Sequence, residues 1–238
     1  MKRILIILTI INTLLLVTVP VLAETPEQIM EKVYNRDDGD TQISAIRLST
    51  CLYQIKNKRL SCSEKPRVKM MEIIRKDYGE NQEDSKSVTL IKLPAAEKGI
   101  GLLQFDYEDP NRDTDQWMYF SAIGKIKRIV SGSKDEPKTG SFFGSEISYE
   151  DLEQRHISDY EYKILKEEIY KKQPCWVIES IPKPHQARKS NYSKSIIWIS
   201  QKYYMSLKSI LYNRQGRKIK RINSSKFEII NGIHTFRK

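Results

Sequence analysis

From Thr41 onward the apolar residues of this chain recur at every second position, in segment after segment. Ile46, Leu48, Thr50 and Leu52 alternate with Arg47, Ser49 and Cys51, and a second such segment runs from Val68 through Met70 to Ile74. "SVTLIKL", "GIGLLQFDY", "QWMYF" and "KIKRIV" read as four more strands. Beyond residue 152 come "YEYKILKEEIY", "PCWVIESI", "SIIWIS", "MSLKSILYN", "RKIKRI", "KFEII" and "HTFRK", with "NRQG" and "NG" as tight turns between them. A period of two is the pattern of strands with one buried face. Short turns join antiparallel neighbours, so the chain is predicted to form a curled antiparallel sheet or barrel of about a dozen strands rather than a βαβ fold.

A helix precedes the strands. Thr25 caps it, Pro26 fits its first position, Gln28 completes a capping box, and Ile29, Met30 and Val33 line one face up to about Asn35. No Pro/Gly/Ser linker, repeat or low-complexity tract divides the remainder of the chain, so residues 24–238 are read as a single domain, mainly β with a few helices.

The first 23 residues set the compartment. Lys2 and Arg3 precede an apolar run that ends in Val21-Leu22-Ala23, which reads as a secretory signal cleaved after Ala23 and implies a periplasmic protein. The alternative is an uncleaved anchor, since Ile4 to Leu22 is nearly long enough to span a bilayer. The whole chain carries a net charge of +11, and the segment itself holds two cations and no acid. For an exported protein this surplus points to anionic headgroups or an acidic partner and away from nucleic acid. Cys51, Cys62 and Cys175 allow one disulfide and one thiol; a bridge between Cys51 and Cys62 across the turn-like "QIKNKRL" is compatible with the spacing, and Cys175 beside Trp176 reads as a buried small hydrophobe.

Catalytic patterns are missing. His156, His185 and His234 stand alone, there is no G-x-S-x-G, and "CLYQIKNKRLSC" has the wrong spacing for a zinc ribbon. The chain is therefore read as a non-enzyme with no cofactor and no metal. An envelope enzyme with an unrecognised site is the remaining alternative.

The richer signal is aromatic. Trp117 and Tyr119 share one strand face, Trp176 lies on a second strand and Trp198 on a third, and each serves either as core or as cavity wall. The segment "GSFFGSEISYEDL" places Phe142 and Phe143 between glycines ahead of a capping box formed by Ser148 and Asp151. Its phenylalanines act either as a mobile lid or as a permanent plug. The runs "GKIKRI" and "GRKIKRI" alternate cation and isoleucine. Lys125 and Lys127 are then expected on one face with the isoleucines opposite, as a solvated surface or, with Arg128, a docking surface for headgroups or a partner.

"DQWMYFSAIGKIKRI" followed by "GSFFGSEISYEDL" resembles the paired signature of the outer-membrane lipoprotein-sorting protein family, the relatives of the LolA carrier. Ser121 stands where the family has proline, Phe143 where it has methionine, Glu146 where it has aspartate and Ile147 where it has phenylalanine. The resemblance extends over most of the chain from the first helix. It implies an unclosed antiparallel β-barrel covered by short helices, whose apolar concave side accepts lipid or lipoprotein acyl chains for transfer towards the outer membrane. An inner-membrane transporter would be a further partner, and the protein a monomer. On this reading the cavity or lid residues are Trp117, Tyr119, Phe142, Phe143, Ile147, Leu152, Trp176 and Trp198. A lipid- or lipoprotein-sensing regulator of the RseB/MucB type on the same fold is the alternative. Family members usually continue for two further strands after a stretch like "INGIHTFRK", so the expectation at Lys238 is either a longer chain or a more open barrel.

Overall fold

A computed structural model of the chain describes residues 23–57, 59–80, 82–130 and 136–237. The signal-peptide reading lies outside them apart from Ala23. Helix α1 (Pro26–Tyr34) begins as expected. Gln28 N donates to Thr25 Oγ1 and Thr25 N donates to Gln28 Oε1, which closes the capping box. Among the described residues no helix is long and apolar enough to cross a membrane.

The strands fall into two large antiparallel sheets that are not hydrogen-bonded to one another. The first is built from β1 (Thr41–Thr50), then β4 (Arg67–Tyr78), β5 (Asp84–Leu93), β6 (Gly101–Asp106), β7 (Asp115–Phe120) and β8 (Lys125–Ile129), in the order β1-β4-β5-β6-β7-β8. A separate hairpin, β2 (Tyr53–Lys56) with β3 (Arg59–Cys62), stands between β1 and β4. The second large sheet holds β9 (Tyr160–Tyr170), β10 (Gln173–Pro182), β11 (Tyr192–Ser200), β12 (Ser206–Asn213) and β13 (Lys218–Asn223) as neighbours in chain order. The short helix α2 (Pro184–Lys189) links β10 to β11. The chain ends in the hairpin β14 (Phe227–Ile230) and β15 (Ile233–Phe236), which forms its own two-stranded sheet and extends neither large one.

Each large sheet has an inward face, turned to the other sheet, and an outward face. Strand parity fixes which residue goes where. On the six-stranded sheet Met71, Ile91, Leu102 and Met118 point inward and form a core with Phe142, Ile147 and Leu152. On the five-stranded sheet Ile178, Ile197 and Ile199 point inward and are covered by Ile29 of α1. Its outward face carries Cys175, Val177, Ile196, Trp198 and Leu207, closed over by Phe236 of the terminal hairpin. Cys175 is free and buried, as read, and burial pushes its thiol pKa up. Cys51 and Cys62 are bonded to each other.

Candidate functional site

The segment from Gly140 to Leu152 is the staple between the two sheets. Ser148 N donates to Asp151 Oδ2 at 2.7 Å and Asp151 N donates to Ser148 Oγ at 3.3 Å, so the expected capping box forms and opens a single 3-10 turn, Glu150–Leu152. Asp151 also accepts from Tyr192 of β11 and from Lys220 of β13. Burial works against the Asp151 carboxylate, but Lys220, the Ser148 amide and Tyr192 outweigh it and hold its pKa below the ordinary value. Glu150 accepts from Ser190 Oγ and from both the backbone and the side chain of Asn191.

Phe142, only 5% exposed, packs into the inward core of the six-stranded sheet. The anchoring and this burial fit a plug at Phe142 rather than a free lid. Phe143 adopts a left-handed backbone (φ 48°) and lies tilted against Phe142 with ring centroids 4.5 Å apart. It lines a cleft of about 750 Å³ together with Ile100, Met118, Phe120 and Tyr149, and with Lys69, Glu97 and Lys127.

The cavity between the sheets has a volume of about 670 Å³. Its wall is mixed where the family resemblance implies an apolar concave surface: Met30, Val33, Ile73, Leu152, Ile157 and Ile197 line it beside charged and amide groups. Arg75 pairs with Asp77 at 2.8 Å and with Asp38 at 3.2 Å. Gln104 donates to Asp106 and to the Leu152 carbonyl, both at 2.7 Å, and accepts from the buried Gln116 at 2.8 Å. Burial raises the pKa of Asp77, with Arg75 opposing. Tyr34, at the same cavity, is pushed up to about 12, chiefly by burial. Filling this space with hydrocarbon would strip water from charged and amide groups, each at a cost of several kcal/mol unless fully bonded.

The apolar surface lies on the opposite side of the six-stranded sheet. Val88, Leu90, Leu103, Phe105, Trp117, Tyr119 and Ile126 line an outward groove of about 570 Å³ whose wall is almost entirely hydrocarbon and aromatic. Gly101 forms part of its floor: a Cβ there would come within 2.8 Å of Leu90 Cδ2, so the missing side chain is what lets Leu90 settle across the strand. Phe105 meets Trp117 edge-on at 5.7 Å and Tyr78 at 6.2 Å. The Arg128 guanidinium sits 5.8 Å from the Trp117 ring and is bonded to Asp115, and Lys86 lies 5.1 Å over Tyr78.

The residues singled out from sequence therefore do not converge on one cavity. Trp117 and Tyr119 line the outward groove, Phe142, Ile147 and Leu152 belong to the inward core, where Leu152 also borders the cavity between the sheets, Trp176 lies tilted against Tyr204 beneath α1, and Trp198 lies under the terminal hairpin. Contact between the phenylalanine segment and Trp117 is ruled out by parity, because Met118 is the β7 residue that packs on Phe142 and its neighbours must point away. The cations of the basic run are exposed, but Lys125 and Lys127 lie on the side of the sheet that carries Met118. Lys125 and Lys127 share the face of Phe120 and Met118 with Ile126 opposite at 70% exposure, as expected, whereas Arg128 stands opposite Trp117 on the other face and also borders the cleft that Lys127 lines. The echo residue Lys220 is part-buried on Asp151. Sequence reading missed Val88, Leu90, Leu103, Phe105 and Ile126 as groove residues, although their alternation in "SVTLIKL" and "GIGLLQFDY" carried the signal. Among the described residues no group of three or more His, Cys, Asp or Glu is placed to hold a metal ion.

Two facing, unclosed antiparallel sheets with helix and loop cover between them define a LolA-type fold. A family model described only as "Uncharacterized protein" matches residues 83–238, more than half of the chain, and the chain belongs to that family. Three solved structures share the fold. A DUF1329 family protein from Desulfovibrio piger is 23% identical with a TM-score of 0.74, over 88% of this chain and 81% of that one. An outer membrane lipoprotein-sorting protein domain from Vibrio parahaemolyticus is 23% identical with a TM-score of 0.72, over 89% and 82%. A LolA superfamily protein from Nitrosomonas europaea is 20% identical with a TM-score of 0.57, over 89% and 82%. The resemblance read from Asp115 to Leu152 thus agrees with the family and the fold. No curated protein sequence matches the chain.

Proposed function

We propose that the protein is a non-enzymatic periplasmic carrier that holds an acyl chain of a lipid or lipoprotein in the outward groove of the six-stranded sheet. The observation that carries this reading is the groove wall itself, which has the volume of a small-molecule site, within the roughly 300–1,000 Å³ usual for one, and no charged group in its lining. The signal-like leader and the LolA-type fold support the compartment and the carrier role.

An open groove covers about half of a chain's surface. At roughly 0.8 kcal/mol per fully buried methylene, a chain of about sixteen carbons gains on the order of 6 kcal/mol, which corresponds to binding in the tens of micromolar at best. Such weak, non-directional binding suits a carrier that must release its cargo. Arg128 and Lys86 stand at the rim where an anionic head would emerge.

Titration calorimetry with palmitate tests the reading. The parent is expected to bind, Leu103→Asp to lose measurable binding by placing a carboxylate in the hydrocarbon wall, and Phe143→Ser, in the separate inward cleft, to bind like the parent. No binding by the parent, or unchanged binding by Leu103→Asp, would overturn it; loss in Phe143→Ser alone would move the site to the cleft.

A further inference from the structure

The β2–β3 hairpin has a large apolar surface that no other element among the described residues covers. Leu52 is 66% exposed, Tyr53 62%, Ile55 79% and Leu60 68%. In the antiparallel register Ile55 faces Leu60 and Tyr53 faces Cys62, so Tyr53, Ile55 and Leu60 share one side of the ribbon. A two-stranded ribbon that buries so little is marginal in water, and here it is held by other means: the Cys51–Cys62 bond closes its base and Ser63 donates from both its amide and its hydroxyl to the Leu52 carbonyl. Its shape is therefore fixed while its apolar side stays open.

The charge around the hairpin is predominantly cationic; Glu64 follows it, together with Lys65 and Arg67. From Thr41 to Ser63 the sequence contains no Asp or Glu, while Arg47, Lys56, Lys58 and Arg59 are all cationic. A soluble protein partner would need a matching acidic and apolar groove; a bilayer carrying anionic lipid offers both complements at once, negative headgroups for the cations and an acyl boundary for Tyr53, Ile55 and Leu60.

We infer that the β2–β3 hairpin is a membrane-docking finger that inserts its Tyr53-Ile55-Leu60 side into the surface of an anionic bilayer. It is spatially separate from the outward groove, and it does not depend on where an acyl chain is held.

Flotation with phosphatidylcholine vesicles, with and without phosphatidylglycerol, tests it. The protein is expected to float with the anionic vesicles and to detach at high salt. The double variant Ile55→Ser/Leu60→Ser should lose on the order of thirtyfold in partitioning through its missing buried methylenes, with an unchanged Tm and unchanged palmitate binding. Tyr53→Trp, which keeps the apolar side intact, should show a blue-shifted emission component when anionic vesicles are added. A parent that ignores anionic vesicles, as a hairpin reserved for a protein partner would, overturns the inference. So do a double variant that floats like the parent and a Tyr53→Trp emission that does not move.

Discussion

On the five-stranded sheet Val177, Ile196, Trp198 and Leu207 point away from the other sheet and are buried, because the β14–β15 hairpin folds Phe236 across them. The equivalent outward face of the six-stranded sheet presents Val88, Leu103, Phe105, Trp117 and Tyr119, of which Leu103 and Tyr119 are about two-fifths exposed, and no element among the described residues lies across it. Both faces have the alternation of a buried strand surface. The difference between them is that one is covered by another element of the described residues and the other is not, which leaves the second as an open apolar patch.

The largest expected effect sharpens this contrast at matched residues. Trp198→Ala removes a ring that is 7% exposed and lies under the hairpin, and chemical unfolding should show a loss of about 3–5 kcal/mol. Phe142→Ala should cost a similar amount, as a plug must; a loss below about 1 kcal/mol would restore the lid.

Lys220→Met is expected to cost about 3 kcal/mol at neutral pH by leaving Asp151 buried without its cation. The depressed carboxyl pKa sets the sign of the pH dependence. The contribution of Asp151 is fully present above its unfolded value, about pH 4, and is lost as the pH falls through the folded value. The stability gap between parent and variant should therefore close on acidification below about pH 4; a constant gap would break the assignment of Asp151 and Lys220 as the electrostatic tie of the staple.

Phe236→Ser partly uncovers the face that the terminal hairpin protects. A stability loss of about 1–2 kcal/mol is expected for this half-buried ring, with a rise in the binding of an apolar fluorescent dye. If dye binding does not rise, the hairpin is not the cover.

The smallest stability effects belong to the bare face. Ile126→Ser should change unfolding free energy by no more than about 0.5 kcal/mol, and should lower palmitate affinity only a fewfold because it sits at the groove margin. A large stability loss there would mean that the groove is closed in the folded protein and would erase the difference between the two sheets.

How much of this was legible in the chain depends on the range of the interactions involved. The α1 capping box, most strand segments and the "NRQG" turn rest on neighbours a few residues apart and are present where the residues place them, whereas β1 stops at Thr50 short of Leu52 and the turn-like "QIKNKRL" supplies arms of the β2–β3 hairpin. In the turn Asn213 accepts from the amides of Gln215 and Arg217. The groove was half legible: the parity of "QWMYF" put Trp117 and Tyr119 together, but their partners from β5, β6 and β8 depended on register across four strands. The family resemblance supplied the unclosed fold and also the expectation of an apolar interior, which holds for Met30, Val33, Ile73, Leu152 and Ile197 and fails at Arg75, Asp77 and Gln104.

By itself the sequence determined the strands, their alternation and so the sets of residues that share a face, because φ/ψ preference and side-chain direction are local properties of the backbone. Which of those faces would be sealed was decided only in the tertiary structure. Met118 and Trp117 are adjacent and similarly apolar, yet one is packed against Phe142 and the other stands in an open groove. That assignment is made by the elements that come to lie against each side, the Gly140 to Leu152 staple and α1 within and the β14–β15 hairpin on one outer surface. Their placement is governed by apolar area buried between segments far apart in the chain, a sum that no local pattern contains.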